Sequence, residues 1–307
     1  VGVFAMQAAI HEAMELGIDI EDADAVFGRP MGIPKTGAFG LYDLIGVDLM
    51  ADVVRSLRSI LPQGDAFHEV GAENDLINSQ IEKGFTGNKG KGGFYARIDG
   101  EAKALDLKTG AWRARKKEQP ELAMRAERDG LGVLLADNSP QGEFAWRVLA
   151  RILTYSASLI PEVTLSPQDI DDAMKLGYNW IKGPFELIDE IGAQALAERL
   201  EADGRYVPEF LREAADAERE GDRCFYRANG KALEVRHWGN TFRPANLPDG
   251  VVRFHLTRQT LSPEFGNASA DCFRIGEDVL LVEFHTKANA LDDKSMEIVR
   301  AAAEAES

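Results

Sequence analysis

The sequence is poor in cysteine, in long apolar runs and in positive charge. Its two cysteines, Cys224 and Cys272, lie far apart and form no C-x-x-C. That excludes a disulfide framework and a zinc site of the usual spacing. No apolar stretch approaches the ~18 residues of a membrane span. No basic segment followed by an apolar one marks a signal peptide, and a cytoplasmic protein without a membrane span is expected. Lys plus Arg number 35 against 51 Asp plus Glu, a net charge of -16. Such an acidic balance argues against a nucleic-acid surface, although it leaves room for a local basic pocket. No G-x-G-x-x-G follows a strand pattern, and no G-x-S-x-G is present. The five histidines, His11, His68, His237, His255 and His285, show no metal-ligand spacing, so no metal site is expected.

What remains is ordinary globular material. Apolar residues make up 45% and charged residues 28% of 307 positions, enough for two or three domains. Val3, Met6, Ile10 and Met14 recur at helical spacing, and Gly17 closes that helix. Asp19 and Asp22 form a D-x-x-D capping pattern for a short helix that stops near Gly28-Arg29-Pro30. Phe39–Ile45 and Val47–Leu61 read as two more helices, parted at Gly46. Further on, Leu149, Leu153, Ser156 and Ile160 repeat the helical spacing. Ser166-Pro167-Gln168-Asp169 reads as a capping box with Pro at the first helical position.

The two stretches match. Gly37-Ala38-Phe39-Gly40-Leu41-Tyr42-Asp43-Leu44-Ile45-Gly46 lies over Gly183-Pro184-Phe185-Glu186-Leu187-Ile188-Asp189-Glu190-Ile191-Gly192. Upstream, Asp22 and Asp24 fall on Asp169 and Asp171. Downstream, Phe94-Tyr95 is echoed by Phe225-Tyr226. The period is too long for a solenoid unit and indicates a duplicated helical domain with approximate two-fold packing. Phe39 should superpose on Phe185 and Asp43 on Asp189. The two aspartates, without a histidine in either motif, read as hydrogen-bonding anchors rather than general bases.

The boundaries expected are 1–100 for the first copy, 101–140 for a linker, 141–235 for the second copy, 236–250 for a second linker and 251–307 for a third, different zone. In that zone Val251 to Thr257 alternates apolar and polar residues. Cys272–Ile275 and Val279–Phe284 read as strands joined by a tight turn. A helix starts at Asp292 or Asp293, with Met296, Val299 and Ala303 on one face. Two strands and a helix bury little core, and both chain ends read as helix interiors, so a piece of a longer protein is expected. The fold class expected is mainly α, two related helical domains packed as a pseudo-dimer plus a truncated β/α start.

The repeated Gly-(Pro/Ala)-Phe-x-Leu-x-Asp-x-Ile-Gly segment resembles the C-terminal helical domain of 3-hydroxyacyl-CoA dehydrogenases. So does Gly87-Asn88-Lys89-Gly90-Lys91-Gly92-Gly93-Phe94-Tyr95. Residues Val279 to Phe284 with Asn289-Ala290-Leu291 resemble the start of a crotonase, the enoyl-CoA hydratase family. The order resembles a bifunctional enzyme of fatty-acid β-oxidation. The resemblance implies oxidation of (3S)-3-hydroxyacyl-CoA with NAD, and hydration of enoyl-CoA by the C-terminal part. It implies that NAD sits on a Rossmann domain outside this sequence, that the partners are the missing Rossmann and crotonase domains and an acyl-CoA, and that no catalytic or cofactor-binding residue lies within these 307. Homo-oligomerisation stays open. On its own the piece is expected to be inactive.

Candidate substrate-binding residues are Phe39 and Phe185 as acyl-pocket walls, Lys89 and Lys91 for a CoA phosphate, and Ala288 and Ala290 for a CoA site. For each the competing reading is structural: core anchors for the phenylalanines, a connector loop for the lysines and alanines. Two other functions remain open, a non-catalytic helical scaffold and an NAD-dependent dehydrogenase of free hydroxy acids.

Overall fold

The computed structural model describes residues 1–222, 225–229, 232–247, 252, 254–258, 261–276, 278–286 and 289–305. The chain divides into two units, one of residues 1–226 and 235–242, the other of residues 227–234 and 243–307.

The first unit opens with α1 (Gly2–Leu16), closed by Gly17 in the left-handed conformation at φ 66, where glycine has no Cβ to clash. Then come α2 (Ile20–Val26), α3 (Phe39–Ile45), α4 (Val47–Ile60), α5 (Phe67–Val70) and α6 (Asp75–Glu82). Gly46, at φ 117, is both the end of α3 and the start of α4, so the expected break falls where glycine stands. A three-stranded sheet follows, β1 (Tyr95–Ile98), β2 (Glu101–Leu105) and β3 (Trp112–Ala114), in that order and antiparallel. Residues 101–140, expected as a linker, therefore hold β2, β3, α7 (Glu121–Asp129) and α8 (Gly132–Ala136). Arg113 and Lys116 tie this stretch to α2, pairing with Asp19 and with Glu21 or Asp22 at 2.5–3.0 Å.

The second half runs α9 (Pro140–Ser158), α10 (Pro167–Tyr178), α11 (Pro184–Ile191), α12 (Ala193–Ala202) and α13 (Glu209–Arg219). Ser139 caps α9, its hydroxyl accepting the Gly142 N–H at 3.2 Å with Pro140 next in line, the arrangement that fits an N-terminus best. α1 packs on α9: the Phe4 and Tyr155 rings stack 4.0 Å apart, and buried Glu12 takes Arg151 at 2.5 Å. Because α1 meets α9, α5 and α2, it is buried on more than the one face its spacing predicts, with Phe4, Ala8 and Ala9 enclosed as well.

Two expected caps do not form. Asp19 and Ser166 precede α2 and α10, but neither side chain accepts a hydrogen bond from its helix. Asp19 is drawn to Arg113 and Lys116, and Asp169 instead accepts the Thr164 hydroxyl at 2.5 Å.

Strands β4 (Tyr226–Asn229), β5 (Ala232–His237) and β6 (Thr241–Pro244) form a second sheet, in order; β5 ends and β6 lies within the expected linker 236–250. In the second unit, α14 (Phe254–Thr257) is helical where residues 251–257 alternate in polarity. Strands β7 (Phe265–Gly266), β8 (Ala270–Ile275) and β9 (Val279–Phe284) pair antiparallel. Sheet and α15 (Asp293–Ala305) enclose a small core of Ala270, Cys272 and Ile298. The buried face of α15 is Ser295, Ile298 and Ala302, one register away from the Met296, Val299 and Ala303 expected. Ser295 is buried because its N–H and hydroxyl are both engaged by Asp292. Among the described residues no helix is long and apolar enough to cross a membrane.

Candidate functional site

Two pairs of carboxylates in the first unit hold backbone N–H groups of distant segments. Asp24, on α2, accepts the Phe39 N–H at 2.8 Å and the Gly40 N–H at 3.0 Å. These are first-turn donors of α3, which no intrahelical carbonyl can reach. Its second oxygen also accepts the Tyr95 hydroxyl at 2.8 Å. Asp43, near the other end of α3, accepts the N–H groups of Phe94 and Tyr95 at 2.7 and 2.8 Å. One helix is thus clamped at both ends, and Tyr95 joins the clamps.

The second half repeats the arrangement. Asp171, on α10, accepts the N–H groups of Phe185 and Glu186 at 2.8 and 3.2 Å and the Tyr226 hydroxyl at 2.7 Å. Asp189 accepts the N–H groups of Phe225 and Tyr226, both at 2.8 Å. The aromatic partners match too. Phe39 meets Phe94 edge-on with centroids 4.8 Å apart, and Phe185 meets Phe225 edge-on at 4.8 Å.

Both clamps need backbone where a side chain would sit. A Cβ at Gly37 would lie 2.3 Å from Asp24 Oδ1, and one at Gly183 2.3 Å from the Asp171 side chain. Burial sets the electrostatics. Asp24 is pushed up to about 7 by desolvation, with the Tyr95 hydroxyl and two N–H groups pulling the other way. Asp43 is pushed up to about 6 by burial. Asp171 is raised by burial and by the charge of Glu186. Tyr95 and Tyr226 are both raised, by burial and by the aspartates they face. With their oxygens committed to backbone donors, these carboxylates hold the fold.

The candidates read from the sequence do not converge. Phe39 and Phe185 are fully buried, each locked on its partner ring. Lys89 pairs with Asp48 at 2.7 Å, and Lys91 donates to the Lys83 carbonyl at 3.0 Å. Most of the amides of this loop are engaged by backbone carbonyls. Gly87 N–H goes to Gly92, Gly90 to Gly87, Lys91 to Gly84 and Gly93 to Tyr95, while Asn88 goes to Asp43. The glycines serve the clamp: a Cβ at Gly93 would lie 2.0 Å from Asp43 Oδ1. Ala290 is exposed, its carbonyl accepting the Thr286 hydroxyl; Ala288 lies outside the described residues.

The sequence reading passed over two features. Asp271, Glu283 and His285 bring ligand atoms within 4.8 Å of one another. A metal there would have to displace Arg258, which bonds Glu283 at 2.8 Å and approaches Asp271 at 3.9 Å. In the first unit, two clefts of about 620 Å³ each adjoin the α1–α9 contact. Their lining residues are scattered over five or more elements, and no spacing announces them.

Comparison with known proteins bears on the whole arrangement. The family described as 3-hydroxyacyl-CoA dehydrogenase, C-terminal domain, matches residues 1–97 and 142–225. A Bacillus subtilis protein named "Probable 3-hydroxyacyl-CoA dehydrogenase" is 29% identical over 297 residues, 95% of this chain and 37% of that protein. A Rickettsia prowazekii protein named as a fatty acid oxidation complex trifunctional enzyme is 36% identical over 195 residues, 61% of this chain and 26% of its own. The chain thus spans between about a quarter and two fifths of the length of these relatives. The crystal structure of 3-hydroxybutyryl-CoA dehydrogenase from Escherichia coli aligns over 71% of this chain and 61% of its own, with a TM-score of 0.40 and 17% identity.

Proposed function

Since this chain belongs to the family of the 3-hydroxyacyl-CoA dehydrogenase C-terminal domain, we propose that it is the helical, substrate-side part of an enzyme that oxidises (3S)-3-hydroxyacyl-CoA to 3-oxoacyl-CoA with NAD in fatty-acid oxidation. The observation that carries the reading is the clamp. The Asp–Asp–Tyr arrangement occurs twice: Asp24, Asp43 and Tyr95 lie in the first stretch that the family matches, and Asp171 and Asp189 lie in the second, with Tyr226 one residue past its end. The names of the relatives support the same chemistry.

On this reading residues 1–100 and 141–235 are two copies of one helical domain. The α1–α9 contact is then their pseudo-dimer interface, and residues 251–307 begin a crotonase domain that hydrates enoyl-CoA. Each fully described sheet ladder is antiparallel, and none offers the parallel strand and glycine-rich turn that hold a dinucleotide. NAD does not fit these residues and is assigned to a domain outside them, so no catalytic step falls on a side chain of this chain. Lys89 and Lys91 stay in the proposal as solvent-facing cations for CoA phosphates.

The test uses the longer protein that contains this chain. NADH formation from 3-hydroxyacyl-CoA is expected there, and the isolated 307 residues are expected neither to bind NAD tightly nor to turn over acetoacetyl-CoA. Absence of NADH formation by folded longer protein overturns the enzyme reading in favour of a scaffold. Micromolar NAD binding by the isolated chain relocates the cofactor site.

A further inference from the structure

The helices that join the two halves, α1 and α9, are alike in place and unlike in charge. The offset that sets Asp22 on Asp169 and Asp24 on Asp171 also sets Phe4 on Arg151, Ala8 on Tyr155 and Glu12 on Leu159. Burial keeps the same offset: Ala5 and Ile152, Met6 and Leu153, and Ala13 and Ile160 are all enclosed. A contact with two-fold symmetry in its side chains would show each pairing twice. This one has two different ends. At one, Phe4 stacks on Tyr155 at 4.0 Å, and Leu159 packs against the same cluster. At the other, Glu12, 2% exposed, takes Arg151 at 2.5 Å and faces Arg147 at 3.6 Å. Glu12 on Arg151 and Phe4 on Leu159 are thus one contact in two chemistries, ionic and apolar.

The inequality selects partners. In a pairing of two first copies, Glu12 would meet Phe4 at both ends, and no cation would answer either carboxylate. In a pairing of two second copies, Arg151 would meet Leu159 twice. Stranding one buried charge costs roughly a hundredfold or more in an equilibrium constant. Only a first copy against a second leaves the charges matched. The dependence is one-sided. Arg151 also reaches the exposed Glu69 at 3.0 Å, whereas both cations beside Glu12 stand on α9. A penalty against the wrong partner is how closely related surfaces are told apart.

We propose that Glu12 and Arg151 key the α1–α9 contact, so that a first copy accepts a second copy and rejects another first copy. The inference rests on the reading of the two halves as copies of one domain, and adds a rule of pairing to it. Pairing within one chain satisfies the rule, so this face closes on itself instead of recruiting a like half from another chain.

The test exchanges the charges in the whole chain. Glu12→Arg brings a further guanidinium to the contact, and Arg151→Glu brings a second carboxylate. Each is expected to raise the unfolding constant in urea by roughly a hundredfold or more, and the chain with both changes is expected to recover most of the loss, as coupled sites do. The two single variants, one with a size tag, are then unfolded, mixed in equal amounts and refolded together. The first copy of the Glu12→Arg chain fits the second copy of the Arg151→Glu chain, and the two remaining copies fit as in the parent. Light scattering is expected to show a mixed dimer that neither variant forms alone; variants that fail to fold alone still answer through soluble protein recovered from the mixture. Additive losses in the double variant overturn the key. So does a mixture with no more mixed dimer than tagged and untagged parent give, since the covalent link between the halves, not the charges, then decides what pairs. The reading underneath is tested apart from this. A longer protein that forms no NADH overturns the enzyme whatever the mixture shows, and a mixture without mixed dimer beside an active longer protein overturns the key alone.

Discussion

The two clamps solve one problem with unequal means. Each ties down a helix whose first-turn N–H groups have no intrahelical acceptor, by a carboxylate from the preceding helix and a tyrosine from the following strand. In the first half Asp24 meets a glycine, Gly40, and Arg115 lies over the Tyr95 ring at 4.3 Å. In the second half the same position is Glu186. Its carboxylate reaches back to the Gly183 N–H at 2.9 Å and takes Lys175 at 2.5 Å. Asp171 is sealed off from solvent and Tyr226 keeps 4% of its surface, whereas Asp24 keeps 8%. Both rest on a glycine beside the aspartate, but the first adds a glycine-rich loop that delivers amides and the second adds an ion pair. The difference teaches that the constant element is the pairing of buried carboxylate with backbone donors, and that the supporting side chains are free to vary.

Removing the carboxylate is the strongest way to break the comparison. Asp171→Ala strands two buried N–H groups and the Tyr226 hydroxyl, at about 1–3 kcal/mol each. A loss of at least about 3 kcal/mol is expected in urea unfolding. Asp24→Ala strands the same three donors at a site water can approach, and is expected to cost less. A larger loss at Asp24 would reverse the ranking of the two clamps.

Next in size is the response to pH. Asp24 titrates at about 7 when folded and near ~3.9 when unfolded, so between those values the folded chain binds more protons. Its contribution is complete below the unfolded value and is lost as pH rises through about 7, at up to about 1.4 kcal/mol per pH unit. Asp43 adds to the decline up to about 6. Unfolding free energy measured from pH 4.5 to 8 should therefore fall across this window, and Asp24→Asn should flatten the fall. A parent chain whose stability rises through the window contradicts the assignment.

Much of this frame was legible in the residues. The helices around Gly46, the helical course of the matched Phe39 and Phe185 segments, and the strand beginning at Val279 all followed from periodicity and breakers. The partners of Asp43 and Asp189 did not, because they are backbone N–H groups, which carry no signature in the sequence. Residues 101–140 looked like a linker because their strands and helices are short and α7 is highly charged. What orders them is long-range, through Arg113 and Lys116 to Asp19, Glu21 and Asp22. The face of α15 was missed by one position because hydrophobic periodicity ignores Ser295, whose hydroxyl is satisfied locally and so can be buried. The clefts had no signal at all: Phe4, Thr154 and Arg205 line one of them from α1, α9 and the loop after α12, far apart in the chain.

The glycines sharpen the comparison at the level of about 1 kcal/mol. Alanine at either Gly37 or Gly183 pushes a Cβ into the aspartate. Only Gly37 also sits at positive φ, 65 against -77 for Gly183. The left-handed conformation costs an L-residue roughly 1–2 kcal/mol, so Gly37→Ala should lose about 1 kcal/mol more than Gly183→Ala. Equal losses in urea would mean that close approach to the carboxylate is the whole requirement.

The smallest difference lies in the tyrosine hydroxyls. Tyr95→Phe and Tyr226→Phe each delete one bond to a buried carboxylate and leave the ring in place. At Tyr226 no water can replace the lost donor, and a cost of about 1.5 kcal/mol is expected. At Tyr95 the hydroxyl is partly buried and the Arg115 guanidinium still braces the ring, so about half that is expected. Stability alone barely separates these values, but titration does. The Tyr95 hydroxyl is the strongest of the groups holding Asp24 down against the effect of burial. Its removal should move the Asp24 titration above 7 and extend the decline of stability to higher pH. Tyr226→Phe acts on Asp171 in the other clamp and should leave the Asp24 step where it is. If both variants shift that step equally, the two clamps are coupled through the α1–α9 contact rather than acting as independent locks.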